Sequence, residues 1–430
     1  MNKATGFLNK YLLPALTVLS ENTYLSAVRA GMVSVVPLTI IGGVFIILPT
    51  IIGGSYMILP DMPKERWDEL VAPCLQLLQI PVTATFGLLA VFVCFFIGYD
   101  LGKRLKQESI VSASMATMIF LMIQLKLEDQ TLNTDALGSK GLFTAVIVAL
   151  ITVRVQQLFN DKNAVIKLPG SVPQIVYESF LSLSPMLFLV VVFWILRFVL
   201  GVDIDRVLQI AFQPLVFALN TLPGILVYAF LVTMLWSVGI NGDNAMDAIV
   251  APIFLKFLAE NVEAKSLGLP LPYVTANGFF TTFVNVGGTG ATIALALIML
   301  RSKDPGFRKV SRLSLVTQIF QINEPIFFGF PIVLNPIFMI PYILNALILT
   351  TGSYLLIQWN VIQKPLINVP WTTPPIIGHY LVTGGDWKAA IWGVASIGIA
   401  MAVYYPFAKV AERQRLTAKD DLGTVPTRLS

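Results

Sequence analysis

"QINEPIFFGFPIVLNP" (Gln321–Pro336) places one carboxylate, that of Glu324, in a long apolar part of the chain. Glu324 is the only formally charged residue between Leu313 and Gln363. An intramembrane carboxylate costs roughly 2.5–3.5 kcal/mol on insertion scales, so it persists where it faces a cavity or a partner. Pro325 removes a backbone donor directly after it, which suits a turn. The stretch therefore predicts a polar site inside a membrane protein.

The composition supports this interpretation. Of 430 residues, 56% are hydrophobic and 12% are charged, whereas a soluble domain has about 25% charged residues. The apolar runs are continuous and about 20 residues long, which is enough to cross about 30 Å of hydrocarbon. Strands of a membrane barrel would instead alternate polar and apolar residues. The sequence predicts an all-α polytopic membrane protein and excludes a large soluble one.

The charge and the cysteines exclude several classes of site. A net charge of +5 reflects basic cytoplasmic loops in a membrane protein, not nucleic-acid binding. Cys74 and Cys94 have apolar neighbours and form neither a disulfide framework nor a metal-binding pattern. We expect no metal, no cofactor and no nucleic-acid partner. Residues 1–19 lack a signal-peptide cleavage site and predict an amphipathic lead-in helix on the inner membrane face.

The first half of the chain predicts five plain membrane spans. They are residues 27–53, 72–98, 109–126, 141–159 and 178–200. The loop Gly102–Lys106 is basic, whereas the loops at 54–70 and 127–140 are more acidic. Because cytoplasmic loops carry the excess of lysine and arginine, we expect the N-terminus in the cytoplasm.

The second half is interrupted by clusters of glycine and proline. Residues 207–221 predict an interfacial amphipathic helix, and they mark a boundary between a first half, 1–206, and a second half, 207–430. The basic loop Arg301–Arg312 and the basic C-terminal tail should both be cytoplasmic, yet an odd number of plain spans separates them. One element must therefore be re-entrant. Such backbone survives at membrane depth only around protein or a water-filled cavity, so we expect the site in this half.

A second polar cluster is "WSVGINGDNAMD" (Trp236–Asp247), which follows an apolar span. Asn241, Asp243 and Asn244 offer amide and carboxylate groups that match the hydroxyls of a sugar. The alternative is an ordinary polar helix start with an aspartate as its cap.

A third cluster is "FVNVGGTGATI" (Phe283–Ile293), where Asn285 and Thr289 are candidate polar contacts. Gly288 and its glycine neighbours allow backbone N–H groups to approach a ligand. The Lys-Ser/Thr end of a phosphate loop is absent, so nucleotide binding is not expected. The alternative role of these small residues is close helix packing.

A fourth cluster is "NVPWTTPPIIGHY" (Asn368–Tyr380), in which Trp371 lies in a proline-rich segment. Its aromatic face suits stacking on a sugar ring, and the alternative is a tryptophan of the membrane interface. His379 is the only histidine, so no Ser-His-Asp or Cys-His constellation can be built. Phosphoryl chemistry would have to come from another protein.

Four segments together resemble the membrane-embedded IIC component of the bacterial phosphotransferase sugar-uptake system, in its lactose/cellobiose/diacetylchitobiose family. They are "INEPIFFGFPIVLNP", "GINGDNAM", "NVGGTGATIAL" and "VPWTTPP". The resemblance spans nearly the whole chain. It implies a homodimer in the lipid of the bacterial cytoplasmic membrane, with both termini cytoplasmic. It also implies about ten transmembrane helices, two re-entrant hairpins and an interfacial helix, with residues 1–206 as the dimerising scaffold and 207–430 as the transport half.

The resemblance further implies a permease for a β-linked disaccharide such as cellobiose, diacetylchitobiose or a lactose-like sugar. A separate cytosolic IIB protein, supplied by IIA, HPr and enzyme I, would phosphorylate the sugar on its 6-hydroxyl. Glu324 would bind the sugar near that hydroxyl and act as general base. Whether the chain counts as an enzyme stays open, because the phosphoryl donor lies on IIB. The alternative is an ion-coupled sugar symporter, which broken helices and an intramembrane carboxylate would serve equally well.

One residue departs from the family pattern. Relatives commonly have histidine where this chain has Asn241, and an amide cannot shuttle a proton. The predicted substrate-binding residues are Glu324, Asn241, Asn285, Trp371, Asn244, Asp243, Gly288 and Thr289.

Overall fold

The chain folds into helices in the part that the computed structural model describes, which is residues 22–54, 64–128, 130–166, 174–330 and 332–423. Within these ranges the only extended pairing is an isolated bridge between Leu125 and Leu132. The prediction of an all-α protein is confirmed. The predicted lead-in helix at 1–19 lies outside the described residues.

The helices are numbered in chain order. They are α1 (Thr23–Ser34), α2 (Val36–Gly54), α3 (Lys64–Thr85), α4 (Leu89–Arg104), α5 (Ser109–Ile123), α6 (Thr134–Leu137), α7 (Leu142–Asp161), α8 (Gln174–Trp194), α9 (Ile204–Leu219), α10 (Leu222–Ser237), α11 (Gly242–Ser266), α12 (Ile293–Met299), α13 (Pro305–Gln318), α14 (Glu324–Gly329), α15 (Pro336–Gln358), α16 (Pro375–Val382) and α17 (Trp387–Gly423). Irregular helical turns at Phe279–Val284 and Thr289–Ala291 precede α12.

Six helical stretches among the described residues are long and apolar enough to cross a membrane. They are Thr23–Ile46, Ala72–Arg104, Ser139–Asp161, Phe180–Val199, Pro336–Gln358 and Trp387–Thr417. The polytopic prediction is therefore confirmed. The predicted span at 109–126 corresponds to the shorter helix α5, whose 15 residues are too few to cross a bilayer in a straight line.

Two further helix pairs are apolar but sharply bent. α9 and α10 meet at 83°, and the segment Phe279–Ala291 meets α12 at 46°. Counting each pair as one span raises the number to eight. The predicted count of about ten spans, the re-entrant hairpins and the interfacial helix stay predictions.

The chain packs into two compact units. The first comprises Met1–Phe217 and Met246–Pro272, and the second comprises Ala218–Ala245 and Tyr273–Ser430. The predicted division at residue 206 concerns dimerisation and transport. The packing of a single chain tests neither role, so that division stays a prediction.

The first unit is built around α4, which packs against α1, α5 and α7. Small residues let these helices approach closely, as is common in membrane bundles. A Cβ atom at Gly98 would lie 3.0 Å from Ala113 Cα and 3.2 Å from Ala116 Cβ. A Cβ atom at Gly102 would lie 2.8 Å from Ser112 Oγ. The glycines of α4 therefore set its distance from α5.

Polar side chains join more distant elements of the first unit. The Ser112 hydroxyl of α5 donates to Gln156 Oε1 of α7 at 2.6 Å. Asp205, in the first turn of α9, accepts from Gln124 Nε2 at 3.2 Å and from the Thr144 hydroxyl at 2.5 Å. Buried polar groups need such partners, so these bonds fix where α9 begins.

The second unit is organised by α15 and α17. α15 packs against α10 and α17, and α17 also contacts α12 and α16. Trp392 Nε1 on α17 donates to Ser353 Oγ on α15 at 2.8 Å. Tyr404, fully buried on α17, donates its hydroxyl to the Gly290 carbonyl at 2.8 Å. α17 therefore holds the glycine-rich turn in place.

Enlarging Gly98 tests the close packing of α4 on α5. We expect Gly98→Leu to lower the thermal unfolding midpoint in detergent, because overpacking costs about 1–3 kcal/mol. Gly398→Leu is the matched control, since an added Cβ there meets nothing within 4 Å. Equal midpoints for the two variants would contradict the close approach of these helices.

Candidate functional site

The site begins at the first turn of α11. The Asn241 side-chain oxygen accepts from the Asn244 backbone N–H at 2.9 Å, which is the geometry of a helix N-cap. Gly242 follows, and a Cβ atom there would lie 2.1 Å from the Val232 carbonyl oxygen. Glycine at this position lets α11 start directly against α10. The second polar cluster therefore does contain a helix cap, but Asn241 supplies it and not an aspartate.

Asp243 is the centre of the cluster. Its Oδ2 accepts from Trp236 Nε1 and from the Thr289 hydroxyl, each at 2.8 Å. Its Oδ1 accepts from Asn285 Nδ2 at 3.2 Å. All three donors meet at this one side chain, which acts as their common acceptor. One side chain thus joins the second and third predicted clusters, which lie more than 40 residues apart in the chain.

The glycine-rich turn owes its shape to backbone that other residues rarely adopt. Gly288 has φ +104, and an added Cβ would lie 2.4 Å from Asn323 Cβ. Gly290 has φ +74, and an added Cβ would lie 2.3 Å from the Tyr342 ring. The glycines therefore serve close packing, the alternative that the sequence left open. Contact of their N–H groups with a ligand stays a prediction.

Asn323 connects this turn to Glu324. Its buried side chain donates from Nδ2 to the Thr289 carbonyl at 3.2 Å. Glu324 then begins α14, where it is exposed. Its carboxylate makes no hydrogen bond or ion pair with any residue in the described part of the chain. The group is thus placed beside the Asp243 cluster and is available to a ligand.

Aromatic contacts hold α14 in this position. Trp236 and Phe327 meet edge to face with ring centroids 5.2 Å apart, and Phe327 lies 5.9 Å from the Tyr342 ring. Phe307 stacks on Phe330 at 4.7 Å. Such pairs stabilise beyond the area they bury. Trp236 therefore orders both Asp243, through its N–H, and the helix that carries Glu324, through its ring.

The fourth predicted cluster adjoins the same segment by one bond. Gln321 Nε2 donates to the Thr373 carbonyl at 2.9 Å. Trp371 itself is 59% exposed, so its ring is not enclosed by the second unit. Asn244 is likewise exposed, on the first turn of α11. The structure thus brings Asp243, Asn285, Gly288 and Thr289 together beside Glu324, and it leaves Trp371 and Asn244 at the periphery.

One buried acceptor in the cluster is unfilled. Asn285 is 7% exposed, and its Oδ1 has no hydrogen-bond partner within the described ranges. Buried polar atoms are nearly always hydrogen-bonded, so this oxygen needs a hydrogen-bond donor. A hydroxyl group supplies one.

Trp236, Asn323 and Gln321 were not predicted as site residues. Each lies within or beside a quoted motif, but no spacing rule assigns them partners. Their roles depend on bonds to residues 7, 34 and 52 positions away.

Comparisons with known proteins agree with one another. The family model described as phosphotransferase system, EIIC matches residues 29–346. The chain is 31% identical to the lichenan permease IIC component of Bacillus subtilis, covering 99% of this chain and 98% of that protein. It is 32% identical to the cellobiose-specific EIIC component of Geobacillus stearothermophilus, with 96% of each covered.

Two further matches bear on the architecture. The crystal structure of ChbC, the IIC component of the N,N'-diacetylchitobiose-specific phosphotransferase system, superposes with a TM-score of 0.86 at 31% identity, covering 96% of this chain and 99% of that one. The lactose-specific EIICB component of Streptococcus mutans is 28% identical over 94% of this chain but only 72% of its own length.

Replacing Asp243 by asparagine tests the three-donor arrangement. We expect Asp243→Asn to lower the unfolding midpoint, because its amide nitrogen would face groups that already donate, and an unmade buried bond costs about 1–3 kcal/mol. Asp135→Asn is the control, since that exposed carboxylate pairs only with the exposed Lys140 and such pairs contribute about 0–1 kcal/mol. A midpoint loss no larger than that of the control would refute the arrangement.

Replacing Gly288 by alanine tests the contact with Asn323. We expect Gly288→Ala to be more destabilising than Gly268→Ala by about 1–3 kcal/mol, the usual range for overpacking. Both glycines have positive φ, but an added Cβ at Gly268 meets nothing within 4 Å. Gly288 also has ψ 163, a combination that only glycine adopts readily, and this adds to its loss. Similar losses in thermal unfolding for the two variants would therefore count against both the turn conformation and the close approach.

Proposed function

The chain belongs to the phosphotransferase system EIIC family, and on that basis we propose that it carries a β-linked disaccharide across the bacterial cytoplasmic membrane. A separate IIB protein then phosphorylates the sugar on its 6-hydroxyl. The names of the relatives support the substrate class, since lichenan, cellobiose and diacetylchitobiose are all β-linked sugars.

One observation carries the proposal for the site. The carboxylate of Glu324 is exposed and unpaired beside a cluster in which Asn285 Oδ1 lacks a donor. Both groups accept hydrogen bonds, so two sugar hydroxyls that each donate one can fill the two positions. Asp243 and Thr289 orient Asn285 and the glycine turn, and Trp371 stacks on a sugar ring from the periphery. Asn241 acts as the cap of α11 and binds hydroxyls without moving protons.

Glu324 also serves the chemistry in this proposal. As the phosphoryl group leaves the IIB cysteine, the S–P bond breaks and the bond from sugar O6 to phosphorus forms. The hydroxyl proton passes to the Glu324 carboxylate, which acts as general base. Phosphoryl transfer depends mainly on positioning and charge stabilisation. The IIC chain contributes the position of the hydroxyl, and IIB contributes the phosphoryl group.

The proposal includes a transport architecture. The bent segment ending in α12 and the short helix α14 are the re-entrant elements, and α9 lies along the membrane interface, within about ten transmembrane helices. Residues 1–206 form the dimerising scaffold and 207–430 move the sugar. Both termini face the cytoplasm. IIA, HPr and enzyme I supply phosphoryl groups to IIB.

The decisive experiment is uptake of labelled cellobiose into vesicles that contain the purified protein, with the internal product identified chemically. We expect sugar 6-phosphate, formed only when phosphoenolpyruvate and the cytosolic components are present. Free sugar that accumulates with a proton or sodium gradient would overturn the proposal and make Glu324 a coupling-ion site.

Replacing Glu324 by glutamine separates binding from proton transfer. We expect Glu324→Gln to retain sugar binding within about tenfold, because the amide still forms hydrogen bonds. The phosphorylation rate should fall about 10²–10⁴-fold, the usual contribution of a general base. Glu128→Gln, at an exposed loop position, should leave both unchanged. Normal phosphorylation with the Glu324 variant would show that Glu324 is not the general base.

A further inference from the structure

The basic loop after α12 and the end of α17 carry many more basic than acidic residues. Residues 301–318 and 405–417 contain eight lysines and arginines but only two acidic residues, Asp304 and Glu412. Both segments belong to the second unit.

Asp304 is fully buried, and its carboxylate is paired with groups of the protein. Its Oδ1 accepts from the Phe307 backbone N–H at 2.9 Å, which caps α13, and it pairs with Arg415 Nε at 3.4 Å. The Arg415 guanidinium also lies over the Phe307 ring, 4.4 Å from its centroid. A cation over an aromatic face adds to the attraction. The start of α13 is therefore fixed to α17.

Glu412 makes the second connection. It is 5% exposed, and its Oε1 accepts from the Ser302 hydroxyl at 2.7 Å and from the Lys303 backbone N–H. Its Oε2 pairs with Lys409 Nζ at 2.8 Å. Charge-assisted bonds of this kind are among the stronger polar contacts. The loop and the helix are thus joined at two points, and their negative charges are directed inward.

The charges directed outward are all positive. Five side chains are exposed and make no hydrogen bond or ion pair with any residue that the structure describes. They are Arg301, Lys303, Lys309, Arg312 and Arg413, and together they are called the cationic platform. Lys309 and Arg312 are three positions apart on α13 and so share one face.

The length of α17 places the platform beyond the hydrocarbon layer. Its 37 residues span about 55 Å, against about 30 Å of hydrocarbon. Trp387 at its start is 63% exposed, as expected of a membrane-interface anchor. Arg413 is 26 positions further on, about 39 Å along the axis. The platform therefore lies outside the hydrocarbon layer, where a protein from the aqueous phase can reach it.

The same helix connects the platform to the candidate site. Tyr404 bonds to the Gly290 carbonyl, and Glu412 is eight positions later, about 12 Å along α17. A partner seated on the platform lies close to the turn that carries Thr289.

We propose that the cationic platform is the docking surface for the phosphorylated IIB donor, which meets it with an acidic face around its phosphoryl group. The inference rests on the proposed function and adds the location of the partner. Complementary charge raises association rates and makes binding depend on ionic strength.

The test uses the reconstituted full-length chain and phospho-IIB purified from the same organism. Initial rates of sugar phosphate formation are measured against IIB concentration at low and high salt, together with sugar affinity. The variant is Lys309→Glu, Arg312→Glu and Arg413→Glu combined. We expect its half-saturating IIB concentration to rise about tenfold or more at low salt, with loss of the salt dependence. Sugar affinity should stay unchanged.

The matched control reverses three exposed cations elsewhere, with Lys103→Glu, Lys106→Glu and Lys162→Glu. It should behave as the native chain. If the platform triple variant unfolds, the corresponding glutamine triple replaces it, with a smaller expected shift in the same direction.

Each alternative outcome is distinguishable. If the native chain forms no sugar phosphate, the proposed function itself is wrong. An active native chain whose platform variant keeps normal IIB dependence overturns only the docking surface. Equal effects of the platform and control triples would reveal nonspecific charge attraction. Lost binding to anionic phospholipid vesicles, with unchanged IIB dependence, would assign the platform to lipid. Both results contradict the proposal.

Discussion

The second unit depends on the carboxylate of Asp243. Three donors reach it from three places: the indole of α10, the amide of Asn285 and the hydroxyl of Thr289 on the glycine turn. A partly buried carboxyl group needs such partners, and buried donors need an acceptor. The bonds therefore define where α10, the start of α11 and the glycine turn can lie.

The glycine turn is held by Asp243 and by two tyrosines, Tyr342 and Tyr404. Gly290 packs on the ring of Tyr342, and its carbonyl accepts the hydroxyl proton of Tyr404. Asn323 then closes the arrangement by bonding to Thr289. α14 is thus positioned from several sides while the Glu324 side chain remains free. The backbone that carries Glu324 is therefore fixed by its neighbours, whereas its carboxylate is not.

Sequence patterns located the polar segments because each interrupts an otherwise apolar run. The lone Glu324, the Asn/Asp group after Trp236 and the Gly/Thr segment all stand out for this reason. Patterns did not identify Trp236 or Asn323, since an indole or an amide next to a motif is common. Trp371 illustrates the opposite limit. Its proline-rich setting marked it as special, yet its ring lies largely exposed at the periphery of the unit.

The sequence alone determined that the chain is an all-α membrane protein and where polar segments interrupt the apolar runs of its second half. The length of apolar runs and the cost of an intramembrane charge decide those points without reference to folding partners. Tertiary structure alone decided which polar groups meet. Asp243 bonds to residues more than 40 positions away, and Glu412 bonds to a loop more than 100 positions away. No local periodicity encodes such pairings, because they follow from how the helices pack.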